Sequence, residues 1–538
     1  MTKNTMKKII YFYILFLICF TVVFSTNPSY AYKAGGVLII HNEKEPKLLN
    51  PLFANSESEK SVYNLIYSGL VGIDDNFNDY PDLASYVPSI YNKCVYKENA
   101  KTVVLYKLRD EAFWHDGKPV TTSDIKFTWE SYTNPNIKKT VEDSDEIEGY
   151  KQIEKIEEID SKTFKIYFKG IYPNYKRLFR YVLPKHAFTL RNINGINEEN
   201  PFNLKPIGSG AFVFTDWKNG KLILDANLKY YKVRPHLDQI IYIYKKLDRD
   251  IVNQFEKGQI QYLESNSMND IKDVITSDKN IKALEIPQLT MIELAFNTES
   301  SKLKNKNIRK ALASSIDRQE IVKNFRSIKS YWSDSQPNSF LFNESIKESY
   351  AYNLNYAQYL LELENWKFDD SDGIRKNNKI PLDLKLITDV NVINRQTADY
   401  LKDTWSHLGI NLSIEVVEPE NFSNALKNKD DYDIVIYTRR MAIDGYDRAN
   451  YLSYKNIVPI GKNYSRFDNA EVEAIFSDST RINNYSDEKK VSSILNEEIP
   501  VLPLFTYVKN VLVSKHLNNF RPNIIYGNTW NSFEWWLD

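Results

Sequence analysis

Serine, histidine, cysteine and carboxylate side chains are the groups that carry catalysis or hold metals, and their spacing here favours neither. Gly208-Ser209-Gly210 sets a serine between glycines but lacks the G-x-S-x-G elbow of a hydrolase, and its strand–loop–strand setting is wrong for one. His115 precedes Asp116 and Gly117, yet no H-E-x-x-H motif and no Cys/His cluster occurs, so neither metal nor cofactor is expected. The 6 histidines are scattered. A paired-carboxylate site stays open among 70 acidic residues, because separation in sequence says nothing of separation in space. A secreted hydrolase is therefore the minority alternative to a non-enzyme. Arg439-Arg440 offers other chemistry: planar guanidiniums that can meet a carboxylate through two parallel hydrogen bonds. Arginines flanking a turn are the plainer alternative.

These groups sit in a chain of 538 residues, too long for one hydrophobic core, so two or three domains are expected. Residues 1–31 have the physics of an export signal. Lys3, Lys7 and Lys8 are followed by an uncharged apolar run over 9–24, and Ser29-Tyr30-Ala31 supplies small residues for cleavage after Ala31. A retained anchor is the alternative, since the run could nearly span a bilayer. No lipobox surrounds Cys19, and the mature chain keeps only Cys94, so it forms no internal disulfide. Removing three lysines and no acid leaves 67 basic against 70 acidic residues, a balance that argues against nucleic acid. The 37 tyrosines could line a wet cleft, but biased base composition explains them as simply.

Periodicity gives mixed α/β structure. Strands are predicted at 37–40, 102–108, 163–168, 291–296, 382–387, 410–417 and 433–437, with a hairpin around Asn219-Gly220. Helices are predicted at 57–70, 124–132, 308–325 and 394–408, the last stopped by Gly409. The β-α-β order over 382–417 predicts a parallel pair. The tail, 501–513, reads as one or two strands rejoining an earlier sheet. With no internal repeat and no linker, the domains are expected to exchange strands.

The block at 108–125 (LRDEAFWHDGKPVTTSDI) resembles the D-G-x-P-(hydrophobic)-T-x-x-D-(hydrophobic) signature of the extracellular solute-binding proteins that include oligopeptide-, dipeptide- and nickel-binding members. Supporting blocks follow in family order: Asn50-Pro51 with Tyr67 to Leu70, Ile207 to Phe212, Ala295 to Thr298, Ile308 to Leu312 with Ile316 to Arg318, Leu408 to Ile410, and Ile499 to Leu504. Their local physics is structural. Asp116-Gly117 closes a tight turn, Thr121 or Thr122 with Asp124 caps a helix, and Asp317-Arg318 pairs within a helix.

The resemblance implies a two-lobed periplasmic-binding-protein fold of the large type II-like class, with mixed sheets and hinge crossover strands. Lobe one is expected at 32–280 plus 491–538, with an inserted subdomain near 60–200, and lobe two at 281–490. It further implies a monomeric periplasmic receptor that closes on a peptide and delivers it to the permease subunits of an ABC importer. A nickel complex, a sugar or an opine-like solute are alternatives on the same scaffold. For a peptide ammonium, the resemblance points to Asp444, followed by Gly445 and Tyr446, with Asp447 as a rival. Tyr437 and Arg439 would join them from the preceding strand. Asn55, Ser56 and Glu57 would line the opposite wall, although Glu57 could instead cap the following helix.

Overall fold

The computed structural model describes residues 35–53, 56–137, 144–188, 196–265, 280–325, 327–331, 351–441, 448–477 and 485–538. Asn55, Asp444, Gly445, Tyr446, Asp447 and the leader at 1–31 lie outside the described residues.

An 11-stranded mixed sheet runs through both halves of the molecule. Its strands are β1 (Val37–Asn42), β2 (Phe212–Lys218), β3 (Lys221–Ala226), β4 (Gln239–Tyr244), β5 (Tyr262–Ser265), β6 (Ile281–Phe296), β7 (Ile328–Ser330), β8 (Asp383–Asp389), β9 (Asn411–Val417), β10 (Ile434–Arg440) and β11 (Val501–Ser514). The spatial order is β9-β8-β10-β6-β11-β5-β1-β4-β3-β2, with β7 added on β11. A separate four-stranded sheet (95–98, 101–107, 163–168 and 153–158 in spatial order) packs with the helix Thr122–Thr133 in the first half.

Two strands join the halves. β6 and β11 pair antiparallel over nearly their whole length, from Ile281 opposite Ser514 to Ala295 opposite Val501. At one end β11 pairs with β5, Tyr262 opposite Val513; at the other β6 pairs with β10, Phe296 opposite Ile434. The ladder breaks between Pro287 and Met291. Pro287 has no N–H to give, and an interrupted register is where a sheet tolerates proline. Thr506 mends the gap, its hydroxyl donating to the carbonyls of Gln288 at 2.9 Å and Thr290 at 3.2 Å. The expected crossover strands are therefore these two, with a defined bend point.

Separate cores lie on either side of that point. The first gathers Leu38, Ile40, Tyr63, Tyr242 and Val511, and contains the four-stranded sheet as well. The second and third gather Ile292, Leu386, Ile436 and Phe505, and Val435, Tyr437, Val491 and Val501, respectively. Most local expectations stand. Leu384 of β8 pairs parallel with Leu412 of β9 and Ile387 with Val435 of β10, and helix Val392–Ser406 bridges β8 and β9 before Gly409 turns the chain at φ +75°. The single helix expected at 308–325 is instead two, Lys306–Ser314 and Arg318–Asn324. Asp317 caps the second by accepting from the N–H groups of Gln319 and Glu320, and Arg318 is buried, donating to the carbonyl of Pro503. They do not pair with each other as expected, because capping and β11 claim them separately.

Candidate functional site

A cavity of about 620 Å³ opens at the bend of the crossover strands. One wall comes from the first half: Glu43 and Lys44 after β1, and Ser56 to Ser58 at the start of helix Glu57–Ile66. The floor is Gln288, Thr290, Tyr507 and Lys509 of the crossover strands, with Glu264 of β5 beside them. Thr438 of β10 supplies the opposite wall. Cavities of a few hundred Å³ between domains are the usual size and place for a small-molecule site.

The first wall is held by a capping box. The Ser56 N–H donates to Glu59 Oε2 at 2.7 Å and the Glu59 N–H approaches Ser56 Oγ at 3.5 Å. The other Glu59 oxygen accepts the Lys47 N–H at 3.0 Å, and Ser58 Oγ donates to the Lys44 carbonyl. One glutamate thus fixes both the helix start and the loop facing it. Ser56 and Glu57 are among the residues lining the cavity, and the cap is Ser56 with Glu59, not Glu57. The Glu57 carboxylate lies 3.8 Å from Lys60.

The floor carries a charged cluster. Lys509 Nζ sits 2.6 Å from Glu264 Oε2; Tyr262 donates its hydroxyl to Oε1, and Asn528 Nδ2 donates to the same oxygen at 3.2 Å. Burial opposes the charge on Glu264, but the Lys509 ammonium and these hydrogen bonds outweigh it and hold the carboxyl below its usual range. For Lys509 burial likewise opposes the charge, and Glu264 overcomes it to raise the ammonium above the ordinary lysine value. Both therefore stay ionised on the floor of the cleft.

The opposite wall corrects the expectation for β10. Tyr437 and Arg439 do not face the cavity. They are buried on the other face of the strand, where Tyr437 donates to Glu293 Oε2 at 2.6 Å and Arg439 meets Glu293 Oε1 at 2.9 Å. Tyr451 stacks on Tyr437, with ring centroids 5.9 Å apart, which completes an internal cluster. Successive side chains of a strand point to opposite faces, so choosing 437 and 439 selected the wrong set. Thr438 and Arg440 are the residues turned toward the cleft. Thr438 Oγ1 accepts from Asn394 Nδ2 at 3.2 Å, and Tyr507 OH accepts from Asn391 Nδ2 at 3.1 Å, so the start of helix Val392–Ser406 positions both.

The groups that raised the hydrolase alternative are brought together, but as scaffold. The half-buried His115 ring accepts the Gly208 N–H at 3.2 Å through Nδ1 and holds the Gly210 carbonyl at 3.1 Å through Nε2. Burial pushes this imidazole down to about 4, so it is neutral and its Nε2–H donates to Gly210. A Cβ on Gly208 would come within 1.8 Å of the Ile66 carbonyl oxygen, so glycine is required there for close approach to the helix end. Ser209 is fully buried. Asp116 pairs with His186 at 2.8 Å.

Glu264, Lys509, Thr438, Arg440 and Tyr507 were missed by sequence reasoning. Lys509-Asn510 carried a usable signal, since a charged and an amide residue adjoin each other within a largely apolar tail strand.

Comparison with known proteins places this geometry. Residues 80–456 match the family model described as bacterial extracellular solute-binding proteins, family 5 Middle. The chain is 26% identical over 520 residues to the oligopeptide-binding protein AppA of Bacillus subtilis, covering 94% of this chain and 92% of that one. Among solved structures, AppA from Bacillus subtilis in complex with a nonapeptide is similar with a TM-score of 0.61 at 22% identity, covering 94% of this chain and all (100%) of that one. HbpA2 from Haemophilus parasuis is similar with a TM-score of 0.79 at 18% identity, again over 94% of this chain and 100% of that one.

Proposed function

The chain belongs to the bacterial extracellular solute-binding proteins, family 5, and we propose that it is the peptide-capturing receptor of an ABC importer, exported with cleavage after Ala31 and acting as a periplasmic monomer rather than as an enzyme. The observation that carries this reading is the cleft of about 620 Å³ at the bend of two continuous strands, lined from both halves of the molecule. A solute held there touches both walls only when the halves approach, so it stabilises the closed form by that difference in contact. A peptide suits the walls, since an extended backbone needs donors, acceptors and opposite charges at intervals, and Ser56, Thr290, Thr438, Glu57 and Lys509 supply them. The peptide-binding relatives support the same choice over a nickel complex, a sugar or an opine-like solute.

We divide the lobes at the bend itself. Lobe one takes 32–287 and 507–538, and lobe two the chain between, because Val491, Leu495 and Val501 pack in the third core and Leu502 to Phe505 in the second. Asp444 remains the proposed partner of the peptide ammonium, with Gly445 and Tyr446 beside it. Its segment follows Arg440, the last residue of β10 and part of the cleft lining. A desolvated ammonium needs such a carboxylate, because leaving a buried charge unpaired costs several kcal/mol. In calorimetry Asp444→Ala should abolish binding of free peptides without loss of fold, and unchanged affinity removes it from the site.

Native mass spectrometry of the purified mature protein tests the whole reading. A set of retained peptide masses is expected. A single ligand-free mass, together with no heat on titration with a mixed peptide pool, contradicts it.

A further inference from the structure

We propose that Asn528, on the C-terminal tail, is a positioning residue for solute capture, holding the Glu264 carboxylate so that Lys509 is presented to the cleft. This rests on the receptor reading above and adds the tail to the groups that set affinity.

The tail follows β11 and is built into lobe one at several points. Asn523 Nδ2 donates to the Ile73 carbonyl at 2.8 Å, and its Oδ1 accepts the N–H groups of Ile525 and Tyr526, each at 2.9 Å. Thr529 donates its hydroxyl to the Ser61 carbonyl at 2.8 Å, and Asn64 Nδ2 donates to the Tyr526 carbonyl. Ser61 and Asn64 belong to helix Glu57–Ile66, whose first turn is a wall of the cleft. These anchors deliver Asn528 to a recess of about 120 Å³ beside the main cavity, which it lines together with Lys509.

The buried Asn528 side chain spends its amide on β5. Its Nδ2 donates to the Tyr262 hydroxyl at 3.0 Å and to Glu264 Oε1 at 3.2 Å. An amide nitrogen has two N–H groups, so these bonds use both. Tyr262 in turn donates its hydroxyl to the same Oε1. One carboxylate oxygen is therefore held by two donors, and the other meets Lys509 Nζ at 2.6 Å. Rotating the carboxylate would break both bonds to Oε1, so the tail fixes where Oε2 lies and where the ammonium is drawn. An ammonium has three donors, and Glu264 needs only one. The others suit the carbonyls of an extended peptide on the cleft floor.

The ionisable groups around this carboxylate are Lys509 of β11, Tyr262 of its own strand and Tyr242 of β4, with Glu57 of the wall helix acting on Lys509. The Asn528 hydrogen bond favours the charged form of Glu264. Without it the carboxyl takes up its proton at higher pH, and the hold on Lys509 is lost sooner as the solution is acidified.

Calorimetry on the full mature protein, stripped of ligand by unfolding and refolding, uses peptides of alternating alanine and serine, three, five and nine residues long. The tightest binder is then measured on wild type, Asn528→Leu, Lys509→Met and the double variant. Asn528→Leu keeps nearly the same shape without the amide and should weaken binding about fivefold, the size of one hydrogen bond. In the Lys509→Met background the same change should cost less than about twofold, because the group it acts through is gone. The acid limb of the Asn528→Leu affinity profile should lie at higher pH than that of wild type. Where Asn528→Leu does not fold, Asn528→Ala runs the same cycle. Equal losses in both backgrounds, wild-type affinity in Asn528→Leu, or an unmoved acid limb overturns the positioning role and leaves the receptor standing. Failure of all three peptides to bind the wild type sinks the receptor reading and this role together.

Discussion

Two largely buried glutamates, one in each lobe, make nearly the same contacts and serve different ends. Glu293 of β6 accepts from Tyr437 and pairs with Arg439; Glu264 of β5 accepts from Tyr262 and pairs with Lys509. The first cluster is sealed, with side chains 1% and 4% exposed. The second borders the cleft, with Glu264 10% and Lys509 18% exposed. Both lie on strands of one sheet, so residue type and local structure do not distinguish them. What separates scaffold from site is the face of the strand and its distance from the bend. A sealed ion pair loses all its water on folding and must be satisfied by protein groups alone, whereas a pair at the cleft can exchange partners with a solute.

The comparison breaks most sharply at Glu293. Glu293→Ala leaves the Arg439 charge buried without its carboxylate and should cost about 3–5 kcal/mol in urea unfolding. Where the variant is still folded, peptide affinity should stay within about twofold of wild type. A variant of wild-type stability contradicts the sealed role. Lys509→Met should reverse the pattern. Glu264 keeps Tyr262, Asn528 and access to water, so the stability loss should be smaller, about 1–3 kcal/mol, while calorimetry should record about a tenfold loss of peptide affinity.

The pH dependence of the open pair sharpens the same contrast. The folded Glu264 carboxyl is depressed, so its contribution is present above the unfolded value of about 4.3 and fades as pH falls through the lower folded value. The folded Lys509 ammonium is raised, so its contribution is complete below about 10.4 and fades as pH rises through the higher folded value. The contribution of the pair in the wild type should therefore be flat from about pH 5 to 9 and fade below about pH 4. In Lys509→Met burial is left to push the Glu264 carboxyl up, so the stability gap to wild type should narrow at a higher pH than that fade, and a gap that widens as pH falls in paired urea titrations contradicts this assignment. The smallest effect is expected at Ser56→Ala, which removes a cap for about 1 kcal/mol and should lower affinity only through looser positioning of the wall. Circular dichroism melting with parallel calorimetry checks both parts.

Much of this was legible in the sequence because local chemistry decided it. Asp116-Gly117 turns where expected, with Gly117 at φ +86°, and Asp124 accepts the Thr121 N–H and hydroxyl at the next helix start. Gly409 ends its helix. The walls of the cleft were harder. Residues 434 to 437 are buried on both faces, so hydrophobic alternation in β10 does not reveal which set meets solvent, and the choice slipped by one residue. Glu264 and Lys509 lie 245 positions apart in the numbering and meet only because β11 returns to β5. Of the tyrosines that composition left open, ten among the described residues are buried in the first core. Tyr67 donates to the Leu49 carbonyl at 2.7 Å and Tyr242 to the Ser61 carbonyl at 3.1 Å, each packing a ring while satisfying its hydroxyl.

If a small solute joins the lobes across the bend at Pro287 to Met291, the lobes draw together when it binds. Small-angle X-ray scattering of the stripped protein, recorded before and after saturation with a peptide whose binding calorimetry has established, tests it directly. A smaller radius of gyration is expected with the peptide bound. Superimposable profiles at saturation would contradict it, because binding would then owe nothing to closure.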